Sequence, residues 1–172
     1  MSRADRDLSK LNPDFKERVE LWLAENPEIF VTEAYRTYAR QAWLYAQGRT
    51  RPWRIVTRTM NSLHRKGIAV DIAFRGWELY PRDHSKRRKV SDSAKKYGID
   101  RGYDLWKTDK PHYQLNPNAK PLQQQLPPEK IAFLRSKRKV LWEIFDAIED
   151  WELRTHLANC WKRMNELGAT RI

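Results

Sequence analysis

From residue 68 to residue 74, bulky apolar side chains alternate with small or acidic ones along the chain. This period of two predicts a β-strand with two different faces, of which the bulky one is expected to pack into the core. The other face carries two alanines and Asp71, which leaves room for a ligand above the carboxylate. Gly67 tolerates backbone angles that other residues resist, so the chain can fold back and bring His64 towards Asp71.

A second short strand is predicted over residues 109–115. Pro111 suits the first position of a strand, where its missing N–H removes no hydrogen bond of the sheet. Alternation then places His112 on one face of this strand and its two neighbours on the other. If the two strands pair, we expect His64, Asp71 and His112 to converge on one point.

The remaining pattern predicts helices and one further strand around these two elements. Asn12 is a candidate N-cap for the first helix, and Pro13 fits its first position. Helices are predicted over residues 13–26, 37–47 and 85–97, with a strand at 29–35, a loop at 49–60 and a linker at 123–128. From Glu129 onward, two apolar stripes out of phase with each other predict a C-terminal helical appendage. The chain is therefore divided into residues 1–119 and a linker with a helical extension, residues 120–172.

The charge of the chain restricts the classes of partner. Among 172 residues, 34 are basic and 22 acidic, which gives a formal net charge of +12. Residues 120–172 hold 10 basic and 7 acidic residues, so +9 of this charge lies on residues 1–119. Such an excess favours a polyanionic partner, which could be nucleic acid, an anionic membrane or an anionic cell-wall polymer.

The composition gives limited information about the cellular compartment of the protein and its redox state. A single cysteine, Cys160, excludes an internal disulfide. The charged N-terminus has no apolar run of the signal-peptide kind, and no stretch approaches the length of a membrane span. We therefore expect synthesis in the cytoplasm and no membrane span.

Two histidines and one carboxylate with an open fourth position are a common set of ligands for a catalytic zinc ion. The ion lowers the pKa of a bound water and polarises the substrate carbonyl. A general base must then lie within hydrogen-bonding reach, and Asp109, three residues before His112, is the candidate. Arg36, at the end of the first strand, could hold a developing oxyanion or a substrate carboxylate. These ligands also accept other divalent ions, so the residues alone leave the metal open.

The order of these residues resembles a known family of zinc peptidases, which comprises D-alanyl-D-alanine carboxypeptidases and phage L-alanyl-D-glutamate endolysins. The shared pattern is Ser-x-His, six residues, Asp, and later Asp/Glu-x-x-His. In this chain the pattern falls on Ser62, His64, Asp71, Asp109 and His112. The segments Glu33–Thr37 and Leu44–Thr50, with 55–57 and Trp106, are similar to further parts of the family pattern. The resemblance covers roughly residues 10–117.

The resemblance implies a small α+β domain in which helices flank an antiparallel sheet, as in the hedgehog/DD-peptidase fold. It implies a Zn²⁺ ion on His64, Asp71 and His112, with Asp109 as general base. Arg36 would contact the substrate or transition state, and Trp106 would line the substrate groove. Ser62 would either cap the turn or support the substrate.

The function implied is hydrolysis of the L-alanyl-D-glutamate bond in peptidoglycan stem peptides, by an endolysin released at lysis. An aspartate as the base, where many relatives have glutamate, slightly favours this branch. Peptidoglycan, with an anionic wall polymer, is then the expected partner in place of nucleic acid.

Other interpretations of the sequence remain open. A D-alanyl-D-alanine carboxypeptidase or dipeptidase would use the same chemistry on another bond. A metal-stabilised binding module without catalysis, as the resemblance to hedgehog-type domains suggests, would not need Asp109. His84 is the other candidate metal ligand, although His84 and His156 are expected to face solvent. The basic run at residues 86–89 is either a solvated helix face or an attraction for anionic wall.

Overall fold

The computed structural model describes residues 4–75 and 84–146 of the chain. The α-helices in these ranges are α1 (Pro13–Glu25), α2 (Tyr38–Ala46), α3 (His84–Lys95), α4 (Gly102–Trp106), α5 (Leu122–Gln125) and α6 (Pro128–Asp146). The strands are β1 (Ile29–Glu33), β2 (Ala69–Phe74), β3 (Ile99–Arg101) and β4 (His112–Leu115). Two short 3₁₀ helices, Leu8–Lys10 and Leu63–Lys66, precede α1 and β2.

The four strands form one sheet in the order β1-β2-β4-β3, and each neighbouring pair is antiparallel. Helices surround this small sheet, which confirms the predicted α+β class. The strand pairing that the sequence analysis required, β2 with β4, is present in the centre of the sheet. The site residues on these strands therefore lie on the most constrained part of the fold.

Helix α1 forms where the sequence predicts it, and its start has a clear physical cause. The Asn12 side chain accepts hydrogen bonds from the backbone N–H groups of Asp14 and Phe15, and Pro13 occupies the first turn. The apolar stripe of the helix is buried against the sheet. Trp22 packs on Tyr113 of β4 with ring centroids 4.7 Å apart. This contact anchors the strand that carries His112.

Strand β2 differs from the prediction in one respect. Ala69 and Ala73, expected to form an open floor, are buried, and only Asp71 on that face keeps partial exposure. The register places Gln114 opposite Ala69 and Phe30 opposite Ala73. Larger cross-strand neighbours therefore cover the alanines, because directly opposed side chains lie in contact. The open space is confined to the surroundings of Asp71.

The region after residue 98 contains elements that the hydrophobic pattern did not reveal. Strand β3 has three residues and α4 has five, which is too short for a periodic pattern to be visible. Helix α4 ends at Lys107, whose φ of 61° is left-handed. These two elements lead directly into the loop that holds Asp109.

Residues 122–134 join the core instead of forming a separate layer. The stretch predicted as a linker contains α5, and Leu122 and Leu126 are buried. Helix α6 begins at Pro128 and packs along α1, where it buries Ile131 and Leu134. Ion pairs tie the two helices together: Lys130 to Glu25 at 2.9 Å, Arg135 to Glu17, and Arg138 to Glu20. The division of the chain at residue 119 stays a prediction.

Several expectations concern residues outside the described part. These are the His84 side chain, His156, Cys160 and the side chains of the apolar stripes from residue 141 onward. Among the helices that the structure describes, none combines the length and the apolar character needed to cross a membrane.

Candidate metal centre

His64 is positioned by a tight reversal of the chain just before β2. Gly67 ends the 3₁₀ helix Leu63–Lys66 with a left-handed φ of 69°, and its N–H donates to the His64 carbonyl. A Cβ at Gly67 would also lie 3.1 Å from the backbone of Lys10 and Asn12. Both the backbone angle and the lack of space therefore favour glycine at this position. Ser62 occupies the N-cap position, but its side chain makes no capping hydrogen bond.

The orientation of the His64 ring follows from its hydrogen bond. Nδ1 of His64 lies 2.7 Å from the carbonyl oxygen of Ala34. Because a carbonyl oxygen only accepts, Nδ1 carries the proton and Nε2 presents its lone pair. A backbone carbonyl as partner of the second ring nitrogen is a common way to fix a metal-binding histidine.

The sheet register brings the other two ligands together. Asp71 on β2 and His112 on β4 are direct partners in the antiparallel ladder. The backbone N–H of Ile72 donates to the carbonyl of Pro111 at 3.0 Å, which continues the pairing beyond the strand end. The expected convergence of His64, Asp71 and His112 is therefore observed.

Three ligand atoms face a common point. His64 Nε2 lies 3.2 Å from His112 Nδ1 and 3.3 Å from Asp71 Oδ1, and the last two atoms are 3.4 Å apart. In a tetrahedral site with bonds of about 2.0–2.1 Å, ligand atoms are separated by roughly 3.3–3.4 Å. The three atoms thus already have the spacing of one face of a zinc tetrahedron. Two imidazoles and a carboxylate suit Zn²⁺, and the fourth position would be open to water.

Arg36 is buried beside this cluster and holds the second oxygen of Asp71. Its Nη2 lies 2.6 Å from Glu33 Oε2 and 3.4 Å from Asp71 Oδ2, while Nη1 donates to Gln41 Oε1 at 3.0 Å. Its backbone N–H donates to the His64 carbonyl. The structure therefore places Arg36 at the site as a direct partner of a ligand.

Asp71 stays ionised in this environment. Burial alone raises the pKa of Asp71, but His64 and His112 outweigh burial when their rings are protonated. The pKa of Asp71 is consequently well below its usual range, so the carboxylate is ready to act as a ligand.

Glu33 and Gln41 belong to the site but were not predicted. Glu33 is buried and accepts from both Arg36 and Arg40, at 2.6 and 2.8 Å. Gln41 is fully buried and donates to the carbonyl of Thr59 at 2.6 Å while it accepts from Arg36. The available indication in the sequence was that both residues lie close to Arg36 in the chain, three positions before it and five after it.

Asp109 lies in the loop between α4 and β4 and is partly buried. Burial raises the pKa of Asp109, His112 opposes this when its ring is protonated, and the charge of Asp71 adds to it. The backbone of Asp109 lies close to a candidate ligand, because the Asp109 carbonyl oxygen and His112 Cβ are 3.2 and 3.0 Å from the position of a Cβ at Gly102. Trp106, half exposed, has its ring 5.5 Å from the His112 ring and forms part of the same wall.

Comparison with known proteins agrees with this geometry. The chain is 31% identical over 128 residues to the peptidoglycan L-alanyl-D-glutamate endopeptidase CwlK of Bacillus subtilis (strain 168), which covers 64% of this chain and 76% of CwlK. The crystal structure of the Serratia marcescens L-Ala D-Glu endopeptidase ChiX matches with a TM-score of 0.51 at 24% identity, over 66% of this chain and 86% of ChiX. VanYB in complex with D-alanine-D-alanine matches with a TM-score of 0.46 at 16% identity, over 67% of this chain and 74% of VanYB. No family model matches the chain.

The sequence identity to CwlK and the share of CwlK that this chain covers are high enough to show the family. His64, Asp71 and His112 form a cluster that could hold the metal ion of such an enzyme. The predicted recognition, the enzyme class and the fit of the site to a metal ion are thereby confirmed. This chain belongs to the family of zinc peptidases that act on peptidoglycan, which includes L-alanyl-D-glutamate endopeptidases and D-alanyl-D-alanine peptidases.

Proposed function

We propose that this protein is a zinc-dependent peptidoglycan hydrolase that cleaves the L-alanyl-D-glutamate bond of the stem peptide. The observation that carries the proposal is that His64, Asp71 and His112 present three ligand atoms with the spacing of a zinc site. The relative CwlK, a peptidoglycan L-alanyl-D-glutamate endopeptidase, supports the choice of bond.

Bound zinc would supply a Lewis acid and lower the pKa of a water at the open position. Asp109 takes a proton from the attacking water and later gives it to the leaving amine. Its partly buried position raises its pKa, which brings its proton affinity closer to what this double role needs.

Arg36 acts mainly on Asp71 in this proposal. Its guanidinium is already engaged by Glu33, Gln41 and Asp71, and its Nε is buried. It keeps Oδ1 of Asp71 directed at the metal by holding Oδ2. Direct contact of Arg36 with substrate stays a prediction, as do the substrate contacts of Ser62 and Trp106.

The substrate partner is the peptidoglycan stem peptide. Synthesis in the cytoplasm with release at lysis also remains part of the proposal. The half-exposed ring of Trp106 beside His112 offers an apolar wall for such a peptide.

Digestion of purified peptidoglycan, followed by mass spectrometry of the products, tests the proposal. The samples are the zinc-loaded protein, the protein after chelation, the chelated protein with zinc restored, and Asp109→Asn, with Glu129→Gln, an exposed carboxylate in the first turn of α6, as control. We expect new N-terminal D-glutamyl peptides from the wild type and the control, at least 100-fold fewer from Asp109→Asn, and none after chelation. Zinc content should be equal in both variants.

Two outcomes would contradict the proposal. Release of free D-alanine would mean that the enzyme is a D-alanyl-D-alanine carboxypeptidase. Absence of any product from a fully zinc-loaded protein would leave the non-catalytic binding module as the better description.

A further inference from the structure

A cavity of about 420 Å³ adjoins the loop that leads into β4, and none of the candidate metal ligands is among its lining residues. It is formed by α3, by the β3–α4 segment and by the loop of residues 107–110. Lys107 and Lys110 of this loop line the cavity, and Asp109 lies between them in sequence. The volume is within the range of small-ligand sites, roughly 300–1,000 Å³. The loop that carries the general base therefore forms one wall of a second concave site.

The cavity is strongly positive. Its lining contains two carboxylates, Asp92 and Asp104, and six cations: Arg87, Arg88, Lys95, Arg101, Lys107 and Lys110. Both carboxylates already have cationic partners, because Lys95 lies 3.4 Å from Asp92 and 3.7 Å from Asp104. The net charge of the named lining is thus +4, and a low-dielectric wall strengthens such a field.

One of the cations is built into the protein and not merely exposed at its surface. Arg101 on β3 is 6% exposed, and its Nε has no hydrogen-bond partner among the described residues. The Arg101 Nη1 is 4.0 Å from Asp104 Oδ1, which is beyond hydrogen-bonding distance. A buried guanidinium donor without a partner is unfavourable until an acceptor arrives, and a planar fork of N–H groups suits phosphate oxygens.

The basic run predicted at residues 86–89 is divided by the geometry of α3. Arg87 and Arg88 line the cavity, whereas Lys86 and Lys89 are exposed and do not. Half of the run therefore belongs to a concave site, and the other half is a solvated helix face. This split provides a matched control on the same helix.

We propose that this cavity binds the phosphate groups of a phosphodiester polymer in the cell wall and so holds the enzyme on its substrate. The choice of a wall polymer rests on the proposed function. The lining also disfavours nucleic acid, because its one aromatic residue, Tyr103, has the Arg101 guanidinium 5.0 Å above its ring. A covered ring gives no platform for stacking bases.

The test uses the full-length, zinc-loaded protein and sedimentation with purified cell walls, before and after chemical removal of the phosphodiester polymer. The first variant is Arg88→Gln with Lys95→Gln, and the control is Lys86→Gln with Lys89→Gln, which removes the same charge from the same helix. We expect wall affinity to fall roughly tenfold in the first variant and less than twofold in the control. The wild type should lose a similar factor on stripped walls, and inorganic phosphate should compete with binding to intact walls.

Equal losses in the two double variants would overturn the proposal, because they would indicate attraction by overall charge alone. Wild-type binding that survives removal of the polymer would also overturn it, as would tighter binding of a single-stranded oligonucleotide. Cleavage of a soluble stem peptide by the wild type is measured in parallel. Wall binding that obeys the prediction without any cleavage would refute the proposed function and leave this anion site standing.

Discussion

Gly102, the first residue of α4, supports the metal centre without belonging to it. A Cβ at this position would lie 2.9 Å from Trp106 Cζ3, 3.0 Å from His112 Cβ and 3.2 Å from the Asp109 carbonyl oxygen. All three neighbours are candidate site residues. The substitution Gly102→Ala should therefore displace these residues and lower the activity, although it removes no functional group.

The magnitude follows from these distances. Carbon atoms in contact prefer about 3.5 Å or more, so the new methyl group is about 0.6 Å too close to Trp106 and about 0.5 Å too close to His112. The half-exposed Trp106 ring can swing away, but His112 Cβ is fixed by its strand. Overpacking of this kind costs about 1–3 kcal/mol of stability. A displacement of about 1 Å at a catalytic site can lower the rate about 100-fold. A displacement of about half that distance is therefore expected to lower the rate about tenfold.

The assay compares Gly102→Ala with Gly98→Ala, which provides a control for loss of stability. A Cβ at Gly98 would meet Ala119 and Arg18 at 2.7 Å, and its φ of 67° is strained for alanine, but no site residue is nearby. Peptidoglycan cleavage and zinc affinity, by competition with a chelator, are measured well below both melting temperatures. We expect both quantities to fall about tenfold in Gly102→Ala alone. Wild-type zinc affinity and cleavage in a folded Gly102→Ala protein would refute the reasoning.

Three further predictions concern stability. Chelation of zinc should lower the free energy of unfolding by about 4 kcal/mol at a free zinc concentration 1,000 times its Kd, measured by urea unfolding, and His64→Ala should abolish this difference. Truncation to residues 1–119 removes four buried apolar side chains, each of which contributes about 1.5–3 kcal/mol to stability. Circular dichroism of the truncated protein should therefore show an unfolded chain. A folded and active fragment would instead support the predicted domain boundary at residue 119. Burial lowers the pKa of Lys137 in the folded protein to about 8, whereas its pKa in the unfolded chain is about 10.4. Between these two pH values the unfolded chain binds a proton that the folded protein does not. The free energy of unfolding should therefore rise with pH across this range. Lys137→Met should remove this rise of up to about 3 kcal/mol, and an identical pH profile in the variant would contradict the assignment.

The predicted elements that were observed are those with a local cause. Helix α1 follows from Asn12 as cap, Pro13 at the first turn and an apolar stripe. Strand β2 follows from its alternation, and the reversal before it follows from Gly67. In contrast, β3 and α4 have too few residues for a period. Leu122 of α5 and Leu126 after it are buried, but they lie beside glutamines and prolines that suggest a linker.

The sequence by itself predicted which residues meet at the candidate metal centre, because His64, Asp71 and His112 occur in an ordered pattern with Asp109, the proposed general base, before the last of them. The α+β class was implied by the resemblance of this pattern to the zinc peptidase family, and the periodicity of the longer strands and helices agreed with it. Only the tertiary structure decided how Asp71 is held, because Arg36, Glu33 and the ligand meet through strand pairing and burial. The positive cavity likewise exists only after α3 packs beside Arg101, because a cluster of charges from distant segments leaves no local pattern in the sequence.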